Sequence, residues 1–238
     1  TQSSDRFSYS LSDPAGAPPR FPEFGWHNAL YVNYALSNLR QYEKAVAVSD
    51  GQSVRASLRF EAPWLGAEHY AVIASIDSQF SWTLPWFETH VIGMTLSAGT
   101  SYVQNEARLP FAISTSANTT FSLDDLLSLS NTDALVHGYQ PGSLSGQHYL
   151  YAHLNYHFGI YDPVLGVSTL PLGLQRISAT VYCDWGYAWN NGEFNIFRSK
   201  PAIGATLHFD ITLGYRLIQR FSIGYAYGDM HQIYFGFL

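Results

Sequence analysis

The feature of this sequence that most restricts its fold is a long-range alternation of apolar side chains with small or polar ones. From Ile177 to Trp189 the odd positions are apolar, and the even positions are mostly small or polar. Successive side chains of a β-strand point to opposite faces, so a period of two predicts a strand with one apolar face and one polar face. We therefore expect a long strand here.

The same alternation recurs along most of the chain and predicts about ten strands. Several of the alternating segments run for nine residues or more. That exceeds the roughly 5 to 6 residues usual in globular sheets and suits the roughly 9 to 11 residues that cross a bilayer. The further segments are 30–36, 54–60, 70–80, 92–98, 150–158, 203–213, 221–227 and 233–237, with a shorter run at 7–11.

The composition of the polar face separates two kinds of β-protein. A soluble barrel or sandwich turns that face to bulk water and covers it with Lys and Glu, whereas a membrane barrel encloses it. Here it carries Ser, Thr, Gly, Asn and His with an occasional Asp or Arg, and charged residues make up 13% of the chain against about 25% in ordinary domains. The sequence therefore predicts an all-β antiparallel transmembrane β-barrel over residues 1–238. A soluble lipocalin-like barrel is the alternative.

Aromatic side chains near the ends of the predicted strands favour the membrane interpretation. Membrane barrels carry girdles of Trp and Tyr at both interfaces with water. No stretch of the sequence reaches the roughly 18 apolar residues of a spanning helix. We predict interfacial positions for Trp82, Trp86, Trp185, Tyr187 and Trp189.

Charge and cysteine content exclude several other classes of protein. Twelve Lys and Arg against eighteen Asp and Glu, with no basic run, argue against a nucleic-acid partner. The single cysteine, Cys183, rules out an internal disulfide framework and a cysteine-based zinc cluster. It falls on the apolar face, where a passive thiol is expected.

A set of polar side chains is predicted to point into one interior. A shared metal site is disfavoured because His153 and His157 lie about 13 Å apart along a strand. A serine hydrolase is disfavoured because no Gly-x-Ser-x-Gly motif occurs. We expect a hydrogen-bonded polar interior with no metal, no cofactor and no catalytic residue. Its members are His153, Asn155, His157, Asp184, His208 and Asp210.

The longest connection spans residues 104–146 and is rich in Ser, Thr, Asn and Leu. Loops of that length in compact domains are usually functional or disordered. Its paired acids at Asp124 and Asp125 lack the Asp-x-Asp-x-Asp-Gly spacing of a calcium loop. We expect a solvated turn of helix there.

The second half of the chain resembles the outer-membrane surface-antigen superfamily, which includes BamA, TamA and the two-partner-secretion transporters. Leu135–Tyr139 at the end of the long loop is similar to the family's Val-Arg-Gly-Phe/Tyr motif, and Tyr182–Trp189 is similar to its Phe-x-Asp-x-Gly-x-Val-Trp strand. A strand follows the loop motif, and three strands close the sequence, in the family's order. The resemblance covers about Gly51 to the end.

The resemblance implies a latch between the long loop and the barrel wall. In the family the loop's Arg bonds to the Asp of the later strand, and the corresponding residues here are His137 and Asp184, with Gly138 and Tyr139 completing the motif. His137 replaces the family's Arg and cannot form a bidentate fork to a carboxylate. We therefore expect a His137–Asp184 contact and a remodelled latch.

The resemblance also implies a location and a function. It places the chain in the outer membrane of a Gram-negative bacterium, among lipid and lipopolysaccharide, with periplasmic or surface proteins as partners. Insertion or translocation of proteins is the expected activity, without bond chemistry. A non-catalytic anchor for an upstream domain and a small-molecule pore are the alternatives. Because relatives have sixteen strands, the chain is expected to form the C-terminal part of such a barrel, or else a reduced barrel with its loop on top.

Overall fold

The computed structural model describes residues 28–40, 47, 49–67, 69–87, 89–103, 111–112, 136–139, 143–162, 165–166, 172–192, 194–213 and 217–237. This part of the chain is β-structure with connecting turns and two short 3-10 helices, Pro63–Leu65 and Ile196–Arg198. Neither helix has the length or apolar content needed to span a membrane. The strands are β1 (Ala29–Ser37), β2 (Gly51–Glu61), β3 (Ala71–Thr83), β4 (Val91–Val103), β5 (Phe111–Ala112), β6 (Ser145–Gly146), β7 (His148–Tyr161), β8 (Leu165–Gly166), β9 (Leu172–Trp189), β10 (Lys200–Leu213), β11 (Leu217–Tyr227) and β12 (His231–Phe237).

Ten of these strands form one antiparallel sheet in the order β1-β2-β3-β4-β7-β9-β10-β11-β12, with β8 paired to β9. The nine longer strands coincide with the nine alternating segments from residue 30 onward, so that prediction is confirmed. The run at 7–11 lies outside the described residues. Within the described part of the chain, β1 pairs only with β2 and β12 only with β11, and the sheet is open at these two edges. β5 and β6 form a separate two-stranded sheet.

The two faces of the sheet carry opposite chemistry, and the polar face is the buried one. Cross-strand pairs such as Val32–Leu58 and Leu207–Ile223 share the outer face, whereas Ser57–Ser75 and Thr180–Thr206 share the inner face. Large apolar side chains are exposed on the outer face, including Leu30, Val32, Leu58, Ile76, Leu96, Leu154, Ile203, Leu207, Ile233 and Phe235. Buried polar side chains on the inner face include Ser75, Ser97, Ser178, Thr180, Asp184, Thr206 and Asp210.

Antiparallel pairing sorts the connections to two ends of the sheet. Residues 62–70, 104–147, 190–199 and 228–230 connect strands at one end, here called the loop end. Residues 38–50, 84–90, 162–171 and 214–216 connect strands at the other end, here called the turn end. β12 runs from the loop end to the turn end, so residues 136–139 and Phe237 lie at opposite ends of the sheet.

The aromatic residues predicted at the interfaces occupy both ends of the sheet. Trp82 and Trp86 are exposed at the turn end, and Trp185 and Trp189 are half-buried at the loop end. Tyr187 differs from them, because its side chain is buried. Residues 194–195 cover it: Phe194 packs edge-on against its ring, and the backbone N–H of Asn195 donates to its hydroxyl.

Candidate functional site

Residues 136–139 of the long loop pack against the inner face near the loop end. Val136 is 0% exposed, and Tyr139 is also buried. Both belong to the cluster of buried apolar side chains that serves as the core of the described structure, which also contains Phe111, Leu144, Tyr149, Tyr151 and Ala202. Residues 136–139 therefore cover part of the inner face at the loop end.

Asp184 of β9 is the polar centre of this contact. Its side chain is fully buried, and its Oδ2 accepts the backbone N–H of His137 at 3.2 Å and bonds to His137 Nδ1 at 2.7 Å. Its Oδ1 bonds to His153 Nδ1 and accepts from the Tyr151 hydroxyl at 3.4 Å. Each oxygen of the Asp184 carboxylate is therefore bonded to one histidine ring. A single arginine guanidinium can bond to both oxygens of a carboxylate at once, so the two histidines together replace such a group.

Gly138 continues the contact from β9 to the last hairpin. Its backbone N–H donates to Gln232 Oε1 at 2.7 Å, and its carbonyl accepts from Met230 N at 3.0 Å. Its φ of 75° lies in the left-handed region, and a Cβ here would stand 2.7 Å from Gly228 N. Glycine is the residue that meets both requirements.

Tyr139 ties the loop to β10. Its hydroxyl donates to the Pro201 carbonyl at 2.5 Å, and Lys200 Nζ lies 5.0 Å from the centre of its ring. Lys200 in turn pairs with Asp229 at 2.5 Å. Burial, and then the Asp229 carboxylate, raise the pKa of Tyr139. The phenol is thereby held in the protonated form that donates the hydrogen bond.

Alkaline pH is expected to detach the loop in the wild type through Tyr139. A phenol whose pKa is higher in the attached state stabilises attachment fully below its detached value near 10, and this contribution is lost as the pH rises through the attached-state pKa. Ultraviolet difference titration of wild type against Tyr139→Phe measures the hydroxyl directly. A Tyr139 signal that titrates together with the exposed tyrosines would contradict the expectation.

Aromatic rings hold the His137 side chain from two sides. Its ring lies 5.4 Å from that of Tyr234 and 5.2 Å from that of Tyr182, measured between centroids. These two tyrosines lie over glycines of the neighbouring strands, since a Cβ at Gly204 or Gly224 would run into the respective ring. The glycines make room for the rings, and the rings position His137.

The other predicted interior residues do not join this centre. His157 Nδ1 and His208 Nε2 both bond to Thr180 Oγ1, at 2.5 and 2.9 Å. Asp210 makes a two-pronged ion pair with Arg220, at 2.6 and 3.1 Å. Asn155 faces Gly93 on β4. The single polar cluster expected from the sequence is therefore divided along the strands, because side chains four positions apart cannot meet.

A polar cavity of about 320 Å³ adjoins the Asp184 centre on the side of β2 to β4. Its wall includes Arg55, Asp77, Thr95, His137 and His153. In the part of the chain that the structure describes, no group of three or more His, Cys, Asp or Glu side chains is arranged to hold a metal ion. The cavity wall offers both hydrogen-bond donors and hydrogen-bond acceptors.

The chain matches no protein-family model and no curated protein.

The sequence predicted the contact between His137 and Asp184 but not the parts that Tyr151, Pro201 and Gln232 play in holding residues 136–139. The Pro201 contribution is a backbone carbonyl, so no side-chain pattern could have indicated it. The contact of Gln232 with Gly138 could not be predicted either, because it depends on the register of the β11–β12 hairpin.

Proposed function

We propose that this chain forms a wall of an outer-membrane β-barrel that inserts or translocates polypeptides, with residues 136–139 latched to its inner face through Asp184. The observation that carries this proposal is the distribution of side chains in the sheet. Apolar side chains are exposed on one face, and polar ones are buried on the other. Exposure of apolar side chains to water is unfavourable, whereas contact of the same side chains with lipid is favourable.

The dimensions of the strands support a bilayer as the surroundings. β3 and β4 have 13 residues each, and β7 and β10 have 14. Strands of this length, at about 3.3 Å per residue and a tilt of about 40°, cover the roughly 25 Å apolar band of a membrane barrel. Trp86 at the turn end and Trp64 at the loop end are both exposed, as aromatic side chains at the two borders of such a band would be.

The open edges support an activity on polypeptides. β1 presents one unpaired edge over nine residues, and β12 presents the other over seven, within the described part of the chain. An unpaired edge is a template on which another strand can add by main-chain hydrogen bonds. A membrane wall with such edges can hold an extended segment at the level of the bilayer.

Cross-linking the two edges tests this activity. Cysteines are placed at Val32 and Phe235 in a Cys183→Ala background, and a reversible bifunctional thiol reagent is used to join β1 to β12. We expect the cross-linked protein to lose its ability to assist assembly of another β-barrel protein in proteoliposomes, and reduction to restore it. A matched pair at Leu207 and Ile223, which face each other on β10 and β11, should have no effect. Undiminished assistance by the edge-linked form would contradict the proposed activity.

The interior contacts favour one second candidate, a non-catalytic membrane anchor. The buried segment 136–139 is held by β9, β10 and the last hairpin, which suits a plugged and static barrel. An anchor predicts that cross-linking the edges changes nothing and that an attached domain stays at the membrane. The same cross-linking experiment therefore distinguishes the two candidates.

A further inference from the structure

The loop end carries two 3-10 helices that share an arrangement. Pro63–Leu65 joins β2 to β3, and Ile196–Arg198 lies in the connection from β9 to β10. Each presents one strongly exposed aromatic side chain, Trp64 at 70% and Phe197 at 94%. An exposed apolar side chain is informative where it extends a contiguous apolar patch, because such patches mark protein or membrane interaction sites.

Both connections fold outward over the apolar face of the sheet. The ring of Trp64 lies 6.0 Å from that of Phe60, an outer-face residue of β2. Phe194, two residues before the second helix, packs edge-on against the rings of Trp189 and Tyr187 at 5.2 and 5.7 Å. Asn195 fixes the bend by donating its N–H to the Tyr187 hydroxyl and by capping Phe197 N with its side chain.

This geometry continues the apolar outer face beyond the ends of the strands. Ile196 and Phe197 are exposed on the second helix, and Arg198 is exposed directly after them. An aromatic ring beside a cation suits the boundary between acyl chains and headgroups, where rings contact both and cations meet phosphate. Residues turned over the polar interior could not reach that boundary.

We propose that Trp64, Phe197 and Arg198 form a lipid-binding rim, in which the two rings lie at the headgroup level of the leaflet at the loop end and Arg198 binds a lipid phosphate. The inference rests on the proposed membrane location. It adds a specific lipid contact to that location and is independent of any activity on polypeptides.

Depth measurements in vesicles test the rim. A polarity-sensitive fluorophore is attached to Phe197→Cys or, as the matched control, to Leu207→Cys in the middle of β10, each in a Cys183→Ala background. In phosphatidylcholine vesicles containing phosphatidylglycerol, we expect bromines placed shallow on the acyl chains to quench the label at 197 best. Deep bromines should quench the label at 207 best.

The labels at 197 and 207 distinguish a result that contradicts the rim from a result that contradicts the membrane location. A label at 207 that is quenched while the label at 197 stays in water would overturn the rim alone. Two labels that both stay in water would overturn the membrane location and the rim with it.

Arg198 is tested by comparing lipids. A cation at the surface of an anionic membrane contributes about a fivefold factor to binding. Arg198→Gln should therefore lower the folding equilibrium constant in phosphatidylglycerol-containing vesicles about fivefold more than in pure phosphatidylcholine. An equal effect in both lipids would overturn the assignment of Arg198 to an anionic phosphate, while the depth of the label at 197 would still decide the position of the ring.

Discussion

Leu207→Arg is expected to destabilise the folded protein in lipid vesicles by about 2–4 kcal/mol, the cost of a basic residue at the bilayer midplane of a β-barrel. Leu207 lies midway along β10 on the outer face and is already 44% exposed. In a water-soluble protein a charge at such a position changes stability by about 0.5 kcal/mol or less. The expected loss therefore arises from lipid contact and not from disturbed packing.

Ile203→Arg supplies the matched control for this prediction. Ile203 lies on the same face of the same strand, four residues closer to the loop end, and is also exposed. Because the penalty for a charge falls toward the interface, the control should lose less stability than Leu207→Arg. Denaturant titration from vesicles gives both free energies of unfolding. Two small and equal losses would mean that water, and not lipid, covers the outer face.

Asp184→Asn is expected to release residues 136–139 from the inner face. The carboxylate bonds to two ring nitrogens and accepts a backbone N–H and a hydroxyl, whereas the amide keeps one acceptor and turns an NH2 group toward donors. Loss of the charge-assisted bonds should weaken attachment by about 2 kcal/mol. In a Cys183→Ala background, a thiol introduced by Val136→Cys, at a position buried in the attached state, should then react about 30-fold faster, because its reaction follows the detached population.

Asp210→Asn is the control for the carboxylate. Asp210 is also buried on the inner face, but it pairs with Arg220 toward the turn end and makes none of the contacts to the loop. Its substitution should lower the overall stability and leave the reactivity of a thiol at position 136 unchanged. Equal acceleration in both variants would show that the thiol reports general loosening, and the latch at Asp184 would then be rejected.

The alternation of the sequence was sufficient to predict nearly all of the sheet, and its failures have a local cause. β9 begins at Leu172, whereas the alternation predicted a start at Ile177. The cause of the difference is a bulge: Gln175 has no partner on β10, because Arg176 and Leu174 pair with consecutive residues of that strand. The extra residue reverses the phase of the alternation, so Leu174 shares a face with Ile177 despite its even number. A period-two pattern cannot be followed through such a bulge.

The candidate site was less predictable than the sheet because it depends on register. Alternation indicates which face a side chain occupies but not which residue lies beside it on the next strand. His153 and Asp184 were both expected in the interior, yet only the pairing of β7 with β9 places them side by side. The division of the histidines between Asp184 and Thr180 follows from the same register.

The latch joins residues that are far apart along the chain. His137 reaches Asp184 across 47 residues, Tyr139 reaches Pro201 across 62, and Gly138 reaches Gln232 across 94. Each of these contacts closes a large loop of chain. The loss of chain entropy on closing such a loop precedes any stabilisation of the folded state by the contact. The acceptors on β9, β10 and β12 exist as one surface only after the C-terminal strands have paired. We therefore expect residues 136–139 to dock late in folding, and we expect a chain interrupted before the β11–β12 hairpin to keep this segment undocked.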